Sequence, residues 1–323
     1  MYLGLKKTDI FIFHPRVFSI LLALILSTCS IYAERLPVKT YTTADGLPRD
    51  EVSRIRQDSH GFLWFCTHEG ISRFDGVAMT NFTIADGLPD RFVNDFLETK
   101  NGIIYIATGK GLARLNPHGL RGSKENPMFT TFLPDNPKAE KIRVLYQDRN
   151  NQVWIGTSDG LYKLTEKDGQ IGFEIVPLGK PLNSSGGAIA EPSPNSVAIS
   201  SILEDSHGTF WIGTFGGGLF RLASDGNTQR FTNEKVLRDN KITDLLEDRQ
   251  GRLWMSLRSD EKGGVCLLDP TDAVNPVKKC YTIQKGFYSN WVRSILETSD
   301  GQLWLGTIYG LCRFQPENST SVC

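Results

Sequence analysis

The chain has 323 residues, 36 basic and 36 acidic side chains, a formal net charge of zero and 40% hydrophobic residues. The basic residues form no run, so the positive field that a phosphate backbone requires is missing and nucleic acid is excluded as a partner. The length suits two ordinary domains or one large all-β ring.

At the N-terminus, Lys6, Lys7 and Arg16 precede the apolar run VFSILLALILST. That run is too short to span a bilayer comfortably, and it leads to SIYA, ending at Ala33, which reads as a secretory signal peptide cleaved after Ala33. The alternatives are an uncleaved anchor that recruits residues 10–13, interrupted by His14, Pro15 and Arg16, and a lipoprotein modified at Cys29, where Thr28 is larger than usual. The protein is expected outside the cytoplasm, periplasmic or extracellular, or tethered to the inner membrane. Its organisation reads as a signal at 1–33, a repeat domain at 34–316 and a tail at 317–323. The polar stretch 183–196 reads as disordered. Beyond Cys29 the cysteines are 66, 266, 280, 312 and 323, irregularly spaced and without CxxC, which argues against both a disulfide framework and a zinc site. Cys266 and Cys280 are one candidate bridge.

Along the rest of the chain one unit is written six times. Its turn-plus-strand segments are DSHGFLWFCT from Asp58, TKNGIIYIAT from Thr99, DRNNQVWIGT from Asp148, DSHGTFWIGT from Asp205, DRQGRLWMSL from Asp248 and TSDGQLWLGT from Thr298. The aromatic position falls at Trp64, Tyr105, Trp154, Trp211, Trp254 and Trp304, with spacings of 41 to 57 residues. A first strand such as VSRIRQ runs into Asp or Thr, whose side chain turns back on the backbone. The following Gly supplies the left-handed residue of a bulged hairpin, and Asn151 takes its place once. A third strand (ISRF, LARL, LYKL, LFRL, VCLL, LCRF) follows a Gly-closed loop, and a fourth is marked by one aromatic, as in MTNF or TQRF. Four short antiparallel strands per unit describe an all-β propeller of six blades. The recurring aromatic is expected to pack between blades rather than to stack a ligand, since it persists whatever the loops do.

The repeat, with DGLP ahead of LWIGT and GLxRF, closely resembles the two-component regulator propeller repeat over residues 38–314. The resemblance implies the extracytoplasmic sensory part of membrane-spanning sensors, including hybrid histidine kinases, some of which recognise carbohydrate fragments. It implies a membrane-bound kinase or other output partner. With five histidines and no nucleotide-binding Gly boxes, the sequence is not expected to supply a kinase core of its own. The strand around Tyr41 has no blade before it, and the last unit ends after LCRF. The N-terminal strand is therefore expected to complete the last blade and close the ring, with part of a seven-bladed or double array as the alternative.

Catalytic constellations are sparse. Of five histidines, His14 lies in the signal and His60 and His207 share one turn position, which leaves His68 and His118. GxSxG, HExxH and phosphate-loop motifs are missing, so neither catalytic residues nor a metal or cofactor are expected. A sensory or ligand-binding module is the favoured reading; an envelope interaction scaffold and a propeller lyase or hydrolase are the alternatives. Strand direction puts the loops between second and third strands on one face of the disc with the blade-to-blade crossovers, and the DSHG turns on the other. The loops present His68 and Glu69, Lys110, Asp159, Phe215, Arg258 and Tyr309, and the crossovers add Arg49, Arg91, Asn290 and Trp291. Variable polar and aromatic side chains there suit a small polar ligand such as an oligosaccharide; the alternative is a set of solvated loop tips.

Overall fold

The computed structural model describes residues 39–179 and 197–322, apart from 224–225, 233–236, 238, 283–288 and 318–319. The expected signal peptide and the polar stretch 183–196 lie outside the described residues. Six four-stranded antiparallel sheets follow one another along the chain, over 52–82, 93–132, 142–176, 199–231, 242–281 and 292–322. Each sheet takes its strands in chain order, so each is one blade of a propeller.

The turn chemistry is as expected. Asp58 Oδ1 accepts the N–H groups of His60 and Phe62 at 3.0 and 2.9 Å. Asn151 stands at φ 67° where the other turns have glycine. His60 and His207 are exposed on these turns.

Neighbouring blades bury their facing sheets in five apolar clusters of one pattern. The aromatic of one blade meets three apolar residues of the next: Trp64 with Val93, Phe96 and Ile106, and Tyr105 with Ile142, Leu145 and Ile155. Trp154 likewise shares a cluster with Ile199, Ile202 and Ile212, and Trp254 with Val292, Ile295 and Leu305. Trp211 completes the set with Ile242, Leu245 and Met255. These aromatics are scaffold.

The innermost strand of each blade is a sheet edge whose unpaired N–H and C=O groups need partners. The neighbouring blade supplies them. In blades one, two, three and five the second residue of the strand donates to the first carbonyl of the next inner strand: Ser53 Oγ to Val93 O at 2.8 Å, Asn94 Nδ2 to Ile142 O at 2.6 Å, Arg143 Nε to Ile199 O at 3.2 Å and Thr243 Oγ1 to Val292 O at 2.7 Å, whereas Ser200 Oγ of blade four is buried without this bond. The third residue accepts from the next blade. Asp95 Oδ2 takes Leu145 N at 3.1 Å, Ser201 Oγ takes Leu245 N at 3.1 Å and Asp244 Oδ2 takes Ile295 N at 3.0 Å.

The expected closure by the N-terminal strand does not occur. The fourth strand of blade six is Thr320–Val322, paired with Gly310–Gln315. The segment around Tyr41 carries no strand. Thr42 instead caps a 3-10 turn, Thr43–Asp45, and gives its N–H to Asp45 Oδ2 at 2.8 Å, so its polar groups are spent locally. Tyr41 packs edge-on against Phe74 of blade one, 5.1 Å between ring centres.

Blade six meets blade one on different terms from the other five pairs. Ile55 is 55% exposed, whereas its counterparts Phe96, Leu145, Ile202, Leu245 and Ile295 are buried. Leu311 is 54% exposed, whereas Ile71, Leu112, Leu161, Leu219 and Val265 at the same position are fully buried. Arg293 and Ser294 hold the two latch positions and make no such bond to blade one among the described residues. The seam between the first and last blades is open.

Candidate functional site

The loops between second and third strands are built alike. The Thr that ends the second strand donates to the carbonyl of the closing Gly, as Thr67 Oγ1 does to Gly70 O at 2.9 Å, and accepts an N–H from within the loop, as from Glu69 at 3.1 Å. Thr108, Thr157 and Thr307 repeat both bonds. Gly must close the loop: a Cβ at Gly70 would stand 2.3 Å from Phe82 O, and φ there is +117°. Loop backbone then bonds to the crossover beside it, as Gly70 N to Arg91 O at 2.8 Å and Arg258 N to Lys241 O at 3.0 Å. Loops and crossovers therefore share one face.

On that face the eleven residues singled out from sequence fall into separate groups. Arg49 and Arg91 both reach Glu69 Oε1, at 3.7 and 3.1 Å; Arg91 also covers the Phe92 ring, and His68 meets that ring edge-on at 5.1 Å. Asp159 accepts from Asn136 Nδ2 at 2.8 Å. Lys110 and Tyr309 are exposed.

Phe215, Arg258 and Trp291 come together in a cavity of about 430 Å³ at the junction of blades four, five and six. Asp239, Lys241, Ser259, Asp260, Glu261 and Lys262 complete its lining. The guanidinium of Arg258 lies 4.5 Å from the centre of the Trp291 ring and 5.8 Å from that of Phe215. The indole Nε1 of Trp291 donates to Asp260 Oδ1. Asn290 is buried, and its amide donates to the Asp260 carbonyl at 2.8 Å, so it braces the loop from behind.

The cavity exists because blade five breaks the rule of the other loops. Leu257 replaces the terminal Thr, and RSDEKGG replaces the short loops of the other blades. The longer loop arches over the crossover and brings in Asp260, Glu261 and Lys262. Reading one variable residue per loop captured Arg258 and missed these; the missing Thr and the added length were the signal.

A second charged group lies on the inner strands and was not singled out. Arg56 Nε and Arg54 Nε face Asp95 Oδ1 at 3.2 and 3.5 Å. Burial pushes the Asp95 carboxyl up, but Arg56 and Arg54 outweigh it and hold the group below the usual carboxylate range. Burial pushes Asp244 up as well, and there the more distant arginines and two backbone N–H bonds do not offset it. Both aspartates serve the blade-to-blade bonds described above, which makes this group structural.

The two component regulator propeller family matches residues 137–159, 193–216, 236–258 and 289–309, each match running from a crossover into the second-to-third loop of blades three to six. Four segments of this chain are similar to the two component regulator propeller repeat. Blades one and two repeat the same strands and turns. A histidine kinase, P4, of Formosa agariphila is 24% identical over 106 residues, 31% of this chain and 7% of that protein. The extracellular domain of a one component system, BT4673, from B. thetaiotaomicron superposes with a TM-score of 0.51 at 20% identity, over 90% of this chain and 42% of that one. Virginiamycin B lyase from Staphylococcus aureus superposes with a TM-score of 0.58 at 15% identity, over 82% of this chain and 80% of the lyase. The chain thus spans under half of the sensor domain and a small part of the kinase. At these identities the likeness to the solved structures is one of fold.

Proposed function

We propose that this propeller is the exported, ligand-recognising part of a two component signalling system, acting through a membrane-bound kinase partner. The repeats support the signalling role, and the extracellular domain of similar fold agrees with export. The observation that carries the recognition role is the cavity at the junction of blades four to six, where Arg258 stands between two aromatic rings in a loop that departs from the repeat. Scaffold alone gives no reason for one loop to lengthen and gather charge. Carbohydrate fragments are a ligand class that suits polar side chains beside Trp291. No helix among the described residues is long and apolar enough to cross a membrane.

The test compares the two faces of the disc. Alanine at Lys241 and Arg258, which line the cavity, is expected to weaken ligand-dependent kinase output without lowering the unfolding temperature, whereas alanine at His60 and His207 on the opposite face leaves output unchanged. Ser59 is no neutral control, because its Oγ donates to Glu98 of the next blade at 2.7 Å. Equal effects from both faces, or effects from the turn face alone, reject the reading.

A further inference from the structure

The charges around the cavity are not equivalent. Asp260 is committed to the indole of Trp291, and Asp239 Oδ1 accepts Lys241 N at 2.8 Å. Arg258, Lys241 and Lys262 are the cations of the lining, and the side chains of Arg258 and Lys241 form no ion pair among the described residues. Arg258 is also restrained. Its guanidinium carbon lies within cation–π distance of both the Trp291 and the Phe215 rings, which restrains the group at the wall of the cavity. A flat donor fork restrained in this way has lost freedom before any ligand arrives, so less is lost on binding.

Resting on the reading of this cavity as the ligand site, we propose that it takes a carboxylate-bearing organic ligand. The guanidinium of Arg258 is the two-pronged donor to the carboxylate, and Lys241 Nζ is the second positive charge. A carboxylate matches the fork in plane and spacing. Asp239, Asp260 and Glu261 balance Lys241, Arg258 and Lys262 in the lining, so the cavity has no net positive charge to favour a dianion such as phosphate, and the planar match to the fork favours a carboxylate. The exposed parts of Phe215 and Trp291 supply apolar walls for the ligand's body.

The experiment titrates the full chain with D-glucuronate, with D-glucose as its uncharged counterpart and with inorganic phosphate, read by calorimetry and by the change in tryptophan emission that Trp291→Phe removes. Glucuronate is expected to bind at least about tenfold more tightly than either of the others, and Arg258→Lys, which keeps the charge and loses the fork, is expected to cost about tenfold or more while the unfolding transition stays in place. Glucose binding as tightly as glucuronate, with both abolished by Trp291→Ala, would overturn the carboxylate assignment and leave the cavity as a ligand site. Phosphate binding more tightly than glucuronate, or no glucuronate binding up to about 10 mM, near the weakest affinities that count as specific, would overturn it as well.

Discussion

The indole Nε1–H of Trp211 donates to Oδ2 of Asp205, six residues earlier, at 2.8 Å. The other oxygen of that carboxylate accepts the N–H groups of His207 and Thr209, both at 2.9 Å. One buried side chain therefore closes the turn and anchors the aromatic that fills the gap to the next blade. Asp58 with Trp64, Asp148 with Trp154 and Asp248 with Trp254 repeat it. Where Thr stands in place of Asp, the aromatic is Tyr105, which has no indole N–H, or Trp304 beside the open seam. Asp205→Asn keeps the shape but loses one acceptor, leaving a buried donor unmatched. It is expected to cost about 1 to 3 kcal/mol in urea unfolding, and Thr298→Asn much less. Equal losses at the two positions would show that the buried bond carries no special weight.

The open seam makes a second, opposite expectation for two leucines at the same place in the repeat. Leu161 is fully buried against blade four, so Leu161→Ala should cost about 2 to 5 kcal/mol through lost burial and the cavity left behind. Leu311 on blade six is more than half exposed, so Leu311→Ala should stay within about 0.5 kcal/mol of the parent. A large loss at Leu311 in equilibrium unfolding would mean that blades six and one pack together in solution.

Most of this architecture is legible in the residues. Six aromatics, each preceded six residues earlier by an Asp or Thr turn, give the blade count, because each closed interface between blades needs a large ring to fill it. The role of TADGLP was misread. Thr42, just ahead of it, and Asp45 look like strand and turn residues in isolation, but together they satisfy local backbone groups in a 3-10 turn, and only the structure shows that local bonds win over strand pairing at Tyr41. The fourth strand of blade three, Gln170–Val176, was also overlooked. Its signal was the Asp168–Gly169 hairpin, with φ 52° and 75°, rather than an aromatic. The cavity was half legible: Arg258 and Trp291 stand out by type, whereas their meeting depends on a loop whose path no periodicity sets.

The two inner-strand aspartates should respond to pH in opposite directions. Asp95 has its carboxyl held low in the folded protein, so it contributes stability above the unfolded carboxylate value of about 3.9, and that contribution is lost as pH falls through its lower folded value. Asp244 has its carboxyl pushed up, so the folded state is favoured below about pH 3.9 and progressively disfavoured as pH rises through the higher folded value. Asp95→Asn should therefore lose more stability at pH 7 than at pH 3, and Asp244→Asn should lose more at pH 3 than at pH 7. Thermal unfolding of both variants across that range is the measurement, and parallel curves would refute the assignment.

Cys266 and Cys280 sit directly opposite each other on the third and fourth strands of blade five and form a disulfide, with Cα atoms 4.1 Å apart. Both are buried in the cluster shared with Trp211 of blade four, which places the crosslink inside an interface rather than at the rim. A bridge closing a loop of this length restrains the unfolded chain by roughly 3 kcal/mol in the chain-entropy account. Cys66 lies in the cluster between blades one and two and is a free, buried thiol, so reduction does not touch it directly. The double replacement Cys266→Ala with Cys280→Ala should accordingly lower stability by about 2 to 4 kcal/mol. The loss should disappear when parent and variant are compared under strong reductant, where neither is crosslinked. A loss of the same size under both conditions would assign the effect to side-chain packing instead of to the covalent link.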